Sequence, residues 1–384
     1  MDHQLCILRN LENNHIFAPF IAYASNQSES AFHSFLAELY QCHAECNVCA
    51  YLENIIVTDD NVFARDCASG TPVSRFVENA IIADLNAIYS AISKVDSRDL
   101  FDIGKFSRVL TGNAERDALL LREFYKNNGY GKYIDNRAFK LTENGVTPIS
   151  YPSEITLSDL KDYEEEKRII LSNVENFLLG LPHSNMLLYG ERGTGKSSTI
   201  HAIVNKYCSR KLRIIEVNKE NIFSLSTLKA ELASVPMRFI VFIDDLSLSG
   251  GDERISTLKA MLEGTLEGHV DNTMIVATSN RRHIIDEKFS SRNDSVHAGD
   301  SMQEELSLSD RFGISVLFAS TTKPQYLSII HQLAADYRIT VKEPELDLMA
   351  ERWAISKGGR SPRRAKQFIS LLSAAIARGV ELEF

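Results

Sequence analysis

Through the first third of the chain, apolar residues recur at steps of three and four. Phe35, Leu39, Cys42, Cys46, Cys49, Leu52 and Ile56 fall on one stripe, which predicts a single amphipathic helix with three thiols on its inner face. Val77, Ile81, Leu85, Ile88 and Ile92 form a second stripe behind Ser74, a residue type that caps helix starts, and residues 114–125 continue the helical character. Between 127 and 152 the pattern lapses. Gly129, Gly131, Gly145, Pro148 and Pro152 fall there, which predicts a connector or irregular packing segment. From Ile155 the pattern changes kind: short apolar runs at 186–189, 212–217, 239–243, 274–278 and 314–318 alternate with helical stretches. That alternation predicts an α/β domain with a parallel five-stranded sheet and helices on both faces. After Ser320 the strands stop, and helical patterns near 324–337, 344–357 and 361–378 predict a small C-terminal helical domain. The expected division is a mainly helical N-terminal domain with its connector at 1–153, an α/β domain at 154–320 and a helical domain at 321–384. No internal repeat or low-complexity tract interrupts this order.

Composition narrows the classes. The 384 residues, 44% hydrophobic and 24% charged, are those of a folded protein of about two or three domains. No run approaches the ~18 apolar residues of a membrane span. The apolar stretch 16–24 is broken by Pro19 and has no basic leader, so a secretory signal is not expected and the expected location is the cytoplasm. The 51 acidic and 42 basic residues leave a net charge of −9, which opposes diffuse attraction to nucleic acid or to an anionic membrane. Six cysteines are too few for a disulfide framework in this length. The spacing of Cys42, Cys46 and Cys49 also suits an iron–sulfur site, against which stands the helical stripe, where buried cysteine acts as a small hydrophobe.

The chemistry concentrates after the first core strand. Gly190, Glu191, Arg192, Gly193, Thr194, Gly195, Lys196 and Ser197, with Ser198 following, spell a complete phosphate-binding loop between a strand and a helix. Glycines let backbone N–H groups turn inward around phosphates, and the helix aims its positive end at the same anion. Lys196 is placed to neutralise the β- and γ-phosphates of ATP, and the Ser197 hydroxyl to hold Mg²⁺, a cation that prefers oxygen ligands. A buried strand at 239–243 then runs into Asp244 and Asp245. Strand ends of parallel sheets deliver side chains to the ligand crevice, so Asp244 is the candidate metal carboxylate and Asp245 the candidate that polarises an attacking water. Alone, such an acidic pair also suits a solvated turn. Asn280 ends the strand at 274–278 with a neutral amide, and Arg311 precedes the last strand. Arg363 and Arg364 follow a helix start at Ser361 and Pro362. A turn, a surface ion pair and a solvated helix face are the plain alternatives for these three.

In this order the motifs resemble the AAA+ ATPases of the P-loop NTPase class, over residues 155–378. The likeness extends to a bacterial AAA+ family known only as a domain of unknown function, through 188–198, 239–246, 277–283, 306–313 and 358–368. The resemblance implies that 190–197 is the Walker A loop, Asp244 the Walker B aspartate, Asn280 the sensor 1 residue and Arg363 the sensor 2 arginine of a helical lid. It implies further that Arg311 is the arginine finger given to a neighbouring subunit, that Leu160 to Tyr163 line the adenine, and that Asn218 holds the catalytic carboxylate between turnovers. One position departs from the pattern: Asp245 stands where the family has Glu, shorter by one methylene. Arg281, Arg282 and Arg292 compete with Arg311 for the finger role.

The expected function is hydrolysis of Mg²⁺–ATP at subunit interfaces of a homo-oligomeric ring, a hexamer among its sizes, to remodel or load a macromolecular client. The catalytic set is Lys196, Asp245, Asn280, Arg311 and Arg363; Leu160, Tyr163 and the loop bind nucleotide; Ser197 and Asp244 hold the metal. The alternative is an ATP-controlled binding module or assembly switch with little hydrolysis, which Asp245 favours. A phosphotransferase is the third class, opposed by Asn280 and the C-terminal helices. The client is a protein of unknown identity; the net charge lends no support to nucleic acid as partner, and no membrane is expected.

Overall fold

The protein is described by a computed structural model covering residues 5–249, 252–263, 272–280, 285–286 and 308–380. The chain divides into two compact units, Met1–Asn136 with Ala230–Met237, and Arg137–Lys229 with Arg238–Phe384.

The first unit is helical: α1 Phe17–Asn26, α2 Glu29–Gln41, α3 Val48–Val57, α4 Val62–Ser69, α5 Arg75–Ile92 and α6 Ala114–Asn128. Polar side chains start most of these helices by accepting first-turn N–H groups: Ser28 from Ala31, Asn47 from Ala50, Asn61 from Ala64, Ser74 from Val77 and Asn113 from Arg116. Aromatic side chains of α1 and α2, Phe17, Phe20, Phe32 and Phe35, are buried together. Three of this unit's buried carboxylates each receive backbone N–H groups of an irregular segment. Glu53 accepts from Ser107, Arg108, Val109 and Leu110 at 2.5–3.0 Å. Asp84 accepts from Cys6, Ile7 and Leu8, and Asp117 from Thr111 and Gly112. A buried carboxylate is tolerated only with such donors around it.

The single helix expected to carry three thiols is two helices. α2 ends at Gln41, His43 turns the chain with φ 52°, and α3 restarts at Val48. Asn47 competes for the backbone as a cap, and the N–H groups of Val48 and Cys49 find the carbonyls of Asp102 and Ile103. Cys49 is buried, whereas Cys42 and Cys46 are exposed.

The second unit is built on a seven-stranded sheet. Its strands are β1 Ala138–Thr142, β2 Gly145–Pro148, β3 Met186–Gly190, β4 Leu212–Glu216, β5 Arg238–Ile243, β7 Thr273–Ser279 and β9 Ile314–Phe318, in the order β2-β1-β4-β5-β7-β3-β9. β6 Leu248–Ser249 and β8 Ile285–Asp286 form a separate short parallel pair. All sheet pairings are parallel except β1 with β2. The five expected strands are the contiguous block β4-β5-β7-β3-β9, and β2 and β1 lie beyond β4 at the other edge. The other two correct the reading of 127–152 as a connector: β1 and β2 form a hairpin that adds β1 to β4, with Phe139 and Leu141 buried.

Helices α7 Glu164–Leu179 and α8 Lys196–Tyr207 cover one sheet face, where Ile170, Val174, Phe177, Ile200 and Ile203 pack on Leu188, Ile214, Phe242 and Val276. The alternate residues Leu187, Ile215, Val241 and Ala277 are buried as well, as parallel strands enclosed on both faces require. α9 Leu225–Leu232 and α10 Glu253–Glu263 follow β4 and β5. The chain then ends in α11 Lys323–Asp336, α12 Glu343–Ser356 and α13 Pro362–Arg378, which share one core of Tyr326, Ile330, Ala350 and Phe368. Gly358 and Gly359 end α12 at positive φ, and Ser361 caps α13. Among the described residues no helix is long and apolar enough to cross a membrane.

Candidate functional site

The loop between β3 and α8 is shaped by close backbone approach. Gly190 has φ 124°, and a Cβ there would lie 2.1 Å from the Phe318 carbonyl oxygen. Gly193 and Gly195 also have positive φ, 77° and 99°, which favours glycine. Thr194 steadies the turn by donating to the Glu191 carbonyl. α8 starts at Gly195 without a side-chain cap, so its first N–H groups and dipole face the loop, the arrangement that suits an anion. Lys196 is buried and donates to the carbonyls of Gly190 and Glu191 at 2.8 Å each. Burial lowers its pKa from the ordinary lysine value, against the pull of Asp244 and Asp245.

Opposite the loop, β5 ends in the two aspartates. Asp244 Oδ1 accepts from the Ser197 hydroxyl at 2.6 Å and from the Thr278 hydroxyl at 2.5 Å. Asp245 has a left-handed backbone, φ 50°, and its carboxylate accepts from the Asn280 amide at 2.5 Å. A hydroxyl and a carboxylate side by side are hard oxygen donors, so Ser197 and Asp244 fit a partly hydrated Mg²⁺.

Lys196, Ser197, Asp244, Asp245, Asn280 and Arg363 line one cavity, with Arg192, Gly193 and Ser198 at its wall. Arg363 reaches it because the start of α13 docks on the loop: its N–H donates to the Gly193 carbonyl at 3.1 Å. An adjoining cavity is lined by Leu160, Tyr163, Gly193, Gly195, Ser198 and Arg363. Asp162 and Tyr163 are both left-handed there, and the Tyr163 hydroxyl donates to the Ala319 carbonyl at 2.6 Å. Lys161 pairs with Asp336 of α11 at 2.9 Å.

Arg311 stands apart from these residues. β9 runs beside β3 with Ile314 opposite Met186 and Phe318 opposite Gly190. Arg311, three residues before β9, is thus at the far end of the sheet from its own loop, roughly 15 Å or more at the rise of a strand. Asn218 is exposed at the start of a short 3₁₀ turn and does not line the phosphate cavity; the amide in contact with Asp245 is that of Asn280. Arg281, Arg282 and Arg292 lie outside the described residues. Thr278 was not singled out from the sequence, because a threonine near the end of an apolar strand reads as ordinary β propensity.

The profile of a family described as "Protein of unknown function (DUF815)" matches residues 134–376, more than half of the chain. The chain belongs to that family. The DUF815 region takes in the β1–β2 hairpin, the phosphate loop, both aspartates and most of α13, and leaves α1 to α6 outside. Its parallel sheet order, its phosphate loop after β3 and its three C-terminal helices are the architecture the sequence pattern predicts, extended by the β1–β2 hairpin. Among solved structures, the chain is similar to the Thermotoga maritima RuvB Holliday junction branch migration motor, with 17% identity, a TM-score of 0.39 and coverage of 59% of this chain and 66% of that one. It is also similar to the Aeropyrum pernix ORC1 protein in complex with DNA, with 18% identity, a TM-score of 0.43 and coverage of 60% and 63%. The chain spans just under two thirds of each of these proteins. No curated protein matches the chain.

Proposed function

We propose that this chain is an ATPase that binds Mg²⁺–ATP at a boundary between two copies of itself and couples hydrolysis to remodelling or loading of a macromolecular client. The observation that carries this reading is the convergence of Lys196, Ser197, Asp244, Asp245, Asn280 and Arg363 on one cavity at the start of α8. Lys196, held by loop carbonyls, exchanges them for the β- and γ-phosphates. Loop N–H groups hold the remaining phosphate oxygens, and Leu160 and Tyr163 line the base. Magnesium, when bound, neutralises phosphate charge, and Ser197 and Asp244 are the residues that would hold it. Asp245 orients the attacking water and takes its proton, with Asn280 fixing the carboxylate. Such a reaction is mainly positioning and charge stabilisation. Arg363 follows the lid onto the phosphates, and Arg311 is offered to the neighbouring copy.

The test is calorimetry and phosphate release on the full chain. Wild type takes up ATP and ADP and releases phosphate, whereas Lys196→Ala takes up neither; a well-folded wild type that binds neither nucleotide overturns the reading. A second reading, an ATP-controlled assembly switch with little turnover, is favoured by the shorter Asp245 side chain and its close contact with Asn280. Oligomer growth with ATP, without phosphate release, distinguishes it. The location expected for either reading is the cytoplasm.

A further inference from the structure

Beyond its last paired residue, Ile243, β5 turns away from the sheet, and one residue of the neighbouring strand holds that turn. Ile243 is opposite Ala277, so Thr278 is the next position along β7. Its carbonyl accepts the Leu246 N–H at 2.7 Å, and its hydroxyl accepts the Asp245 N–H at 2.9 Å. The same hydroxyl donates to Asp244 Oδ1 at 2.5 Å. A threonine hydroxyl has one donor and two acceptor sites, and Thr278 uses both kinds on consecutive residues. It is 2% exposed, so water is not at hand to replace either bond.

The consequence falls on Asp245. Its left-handed φ of 50° is uncommon outside glycine, although aspartate adopts it more readily than most residues, and the hydrogen bond from its N–H to Thr278 fixes it. With the N–H fixed on Thr278, the short carboxylate reaches the Asn280 amide. Asn280 itself is two residues beyond Thr278 on the same chain segment. One hydroxyl thus sets the metal carboxylate, the backbone of the water-activating carboxylate and the register between that carboxylate and its amide partner.

We propose that Thr278 is a positioning residue for hydrolysis: it holds the backbone of Asp245 so that an aspartate works where a longer acid would otherwise be needed. The inference rests on the ATPase reading above. Thr278→Val keeps the side-chain volume and removes both hydrogen bonds. Asp244 retains its Ser197 partner in that variant, whereas the Asp245 N–H loses its acceptor.

The experiment measures steady-state phosphate release and binding of a fluorescent ADP with Mg²⁺, on full-length wild type, Thr278→Val and Thr278→Ser, with melting curves for each. Thr278→Val is expected to lower kcat by roughly tenfold or more, the size of effect that misplaced catalytic groups produce, with KM and ADP affinity within about threefold. Thr278→Ser, which keeps the hydroxyl, restores most of kcat. Wild-type kcat in the valine variant overturns the inference. So does a parallel loss of ADP affinity and melting temperature, which marks a purely structural role. If the valine variant does not fold, Thr278→Ala against Thr278→Ser is read by the same criteria. A wild type that binds ADP, hydrolyses ATP and is indifferent to Thr278 removes this inference alone. A wild type that binds ADP without turnover overturns it together with the hydrolysis, and one that binds neither nucleotide removes the ATPase reading itself.

Discussion

The amide of Asn280 and the carboxylate of Asp245 meet at 2.5 Å, joining the ends of two neighbouring strands at the mouth of the phosphate cavity. If this pair handles the attacking water, Asp245→Asn keeps nucleotide binding and lowers kcat by roughly 100-fold or more, the range of general-base losses. Asn280→Ala lowers it by roughly 10- to 100-fold. Asp245→Glu pushes an extra methylene into a contact that is already closed, so kcat falls. Phosphate release at saturating ATP measures all three, and a faster glutamate variant contradicts the fit of aspartate to this site.

Arg311 sits at the opposite end of β9 from the loop of its own chain, so in the proposed assembly any effect it has on hydrolysis crosses between subunits. Arg311→Ala is expected to bind ADP as wild type does and to lose turnover. Mixing it with Lys196→Ala, which lacks the loop lysine but keeps the arginine, restores part of the activity, because intact halves of the site then meet at some boundaries. Two inactive proteins that stay inactive when mixed, while still co-assembling, take Arg311 out of the scheme.

Gly190 and Gly145 both have positive φ, 124° and 94°, but only the first is crowded: a Cβ at 190 meets the Phe318 carbonyl oxygen at 2.1 Å, and one at 145 meets nothing within 4 Å. Gly190→Ala forces β3 and β9 apart at the loop and is expected to cost about 2–4 kcal/mol and to abolish nucleotide uptake. Gly145→Ala costs about 1 kcal/mol from backbone strain alone and leaves binding intact. Denaturant unfolding and calorimetry of the two variants give the comparison.

Glu53 ties residues 107–110 to α3 through four backbone N–H groups. Burial raises its pKa, but those four hydrogen bonds outweigh it and hold the group below its ordinary 4.5. A carboxylate depressed on folding stabilises fully above its unfolded pKa, and the contribution is lost as pH falls through the lowered folded value. Glu53→Gln is expected to cost about 2–4 kcal/mol near neutral pH, since buried donors lose a charged acceptor. Its stability also changes less steeply below pH 4.5 than that of wild type. Denaturation of the full chain across the acid range measures both.

Much of the site was legible because its signals are local. The loop is eight consecutive residues whose types each have a stereochemical reason, and Ser361–Pro362 with the glycines before it mark the start of α13. The hairpin of β1 and β2 carries only short signals, the turn pair Asn144–Gly145 and the alternation of Phe139, Lys140 and Leu141. Scattered glycines and prolines masked a strand pair of only five and four residues. The thiol stripe failed in the opposite sense. Helical spacing persisted through 42–46, yet the cap at Asn47 and the carbonyls of Asp102 and Ile103 drew the backbone into two helices.

Periodicity and short motifs by themselves determined the α/β class, the five core strands, the phosphate loop and the three C-terminal helices, since each depends on residues within a few positions of one another. Only the tertiary structure decided that β1 joins β4, that Asn280 rather than Asn218 meets Asp245, that Thr278 grips both aspartates, and that Arg311 lies at the opposite end of β9 from its own loop. Those relations join residues tens to hundreds of positions apart, and strand order and register, which no local spacing encodes, bring them together.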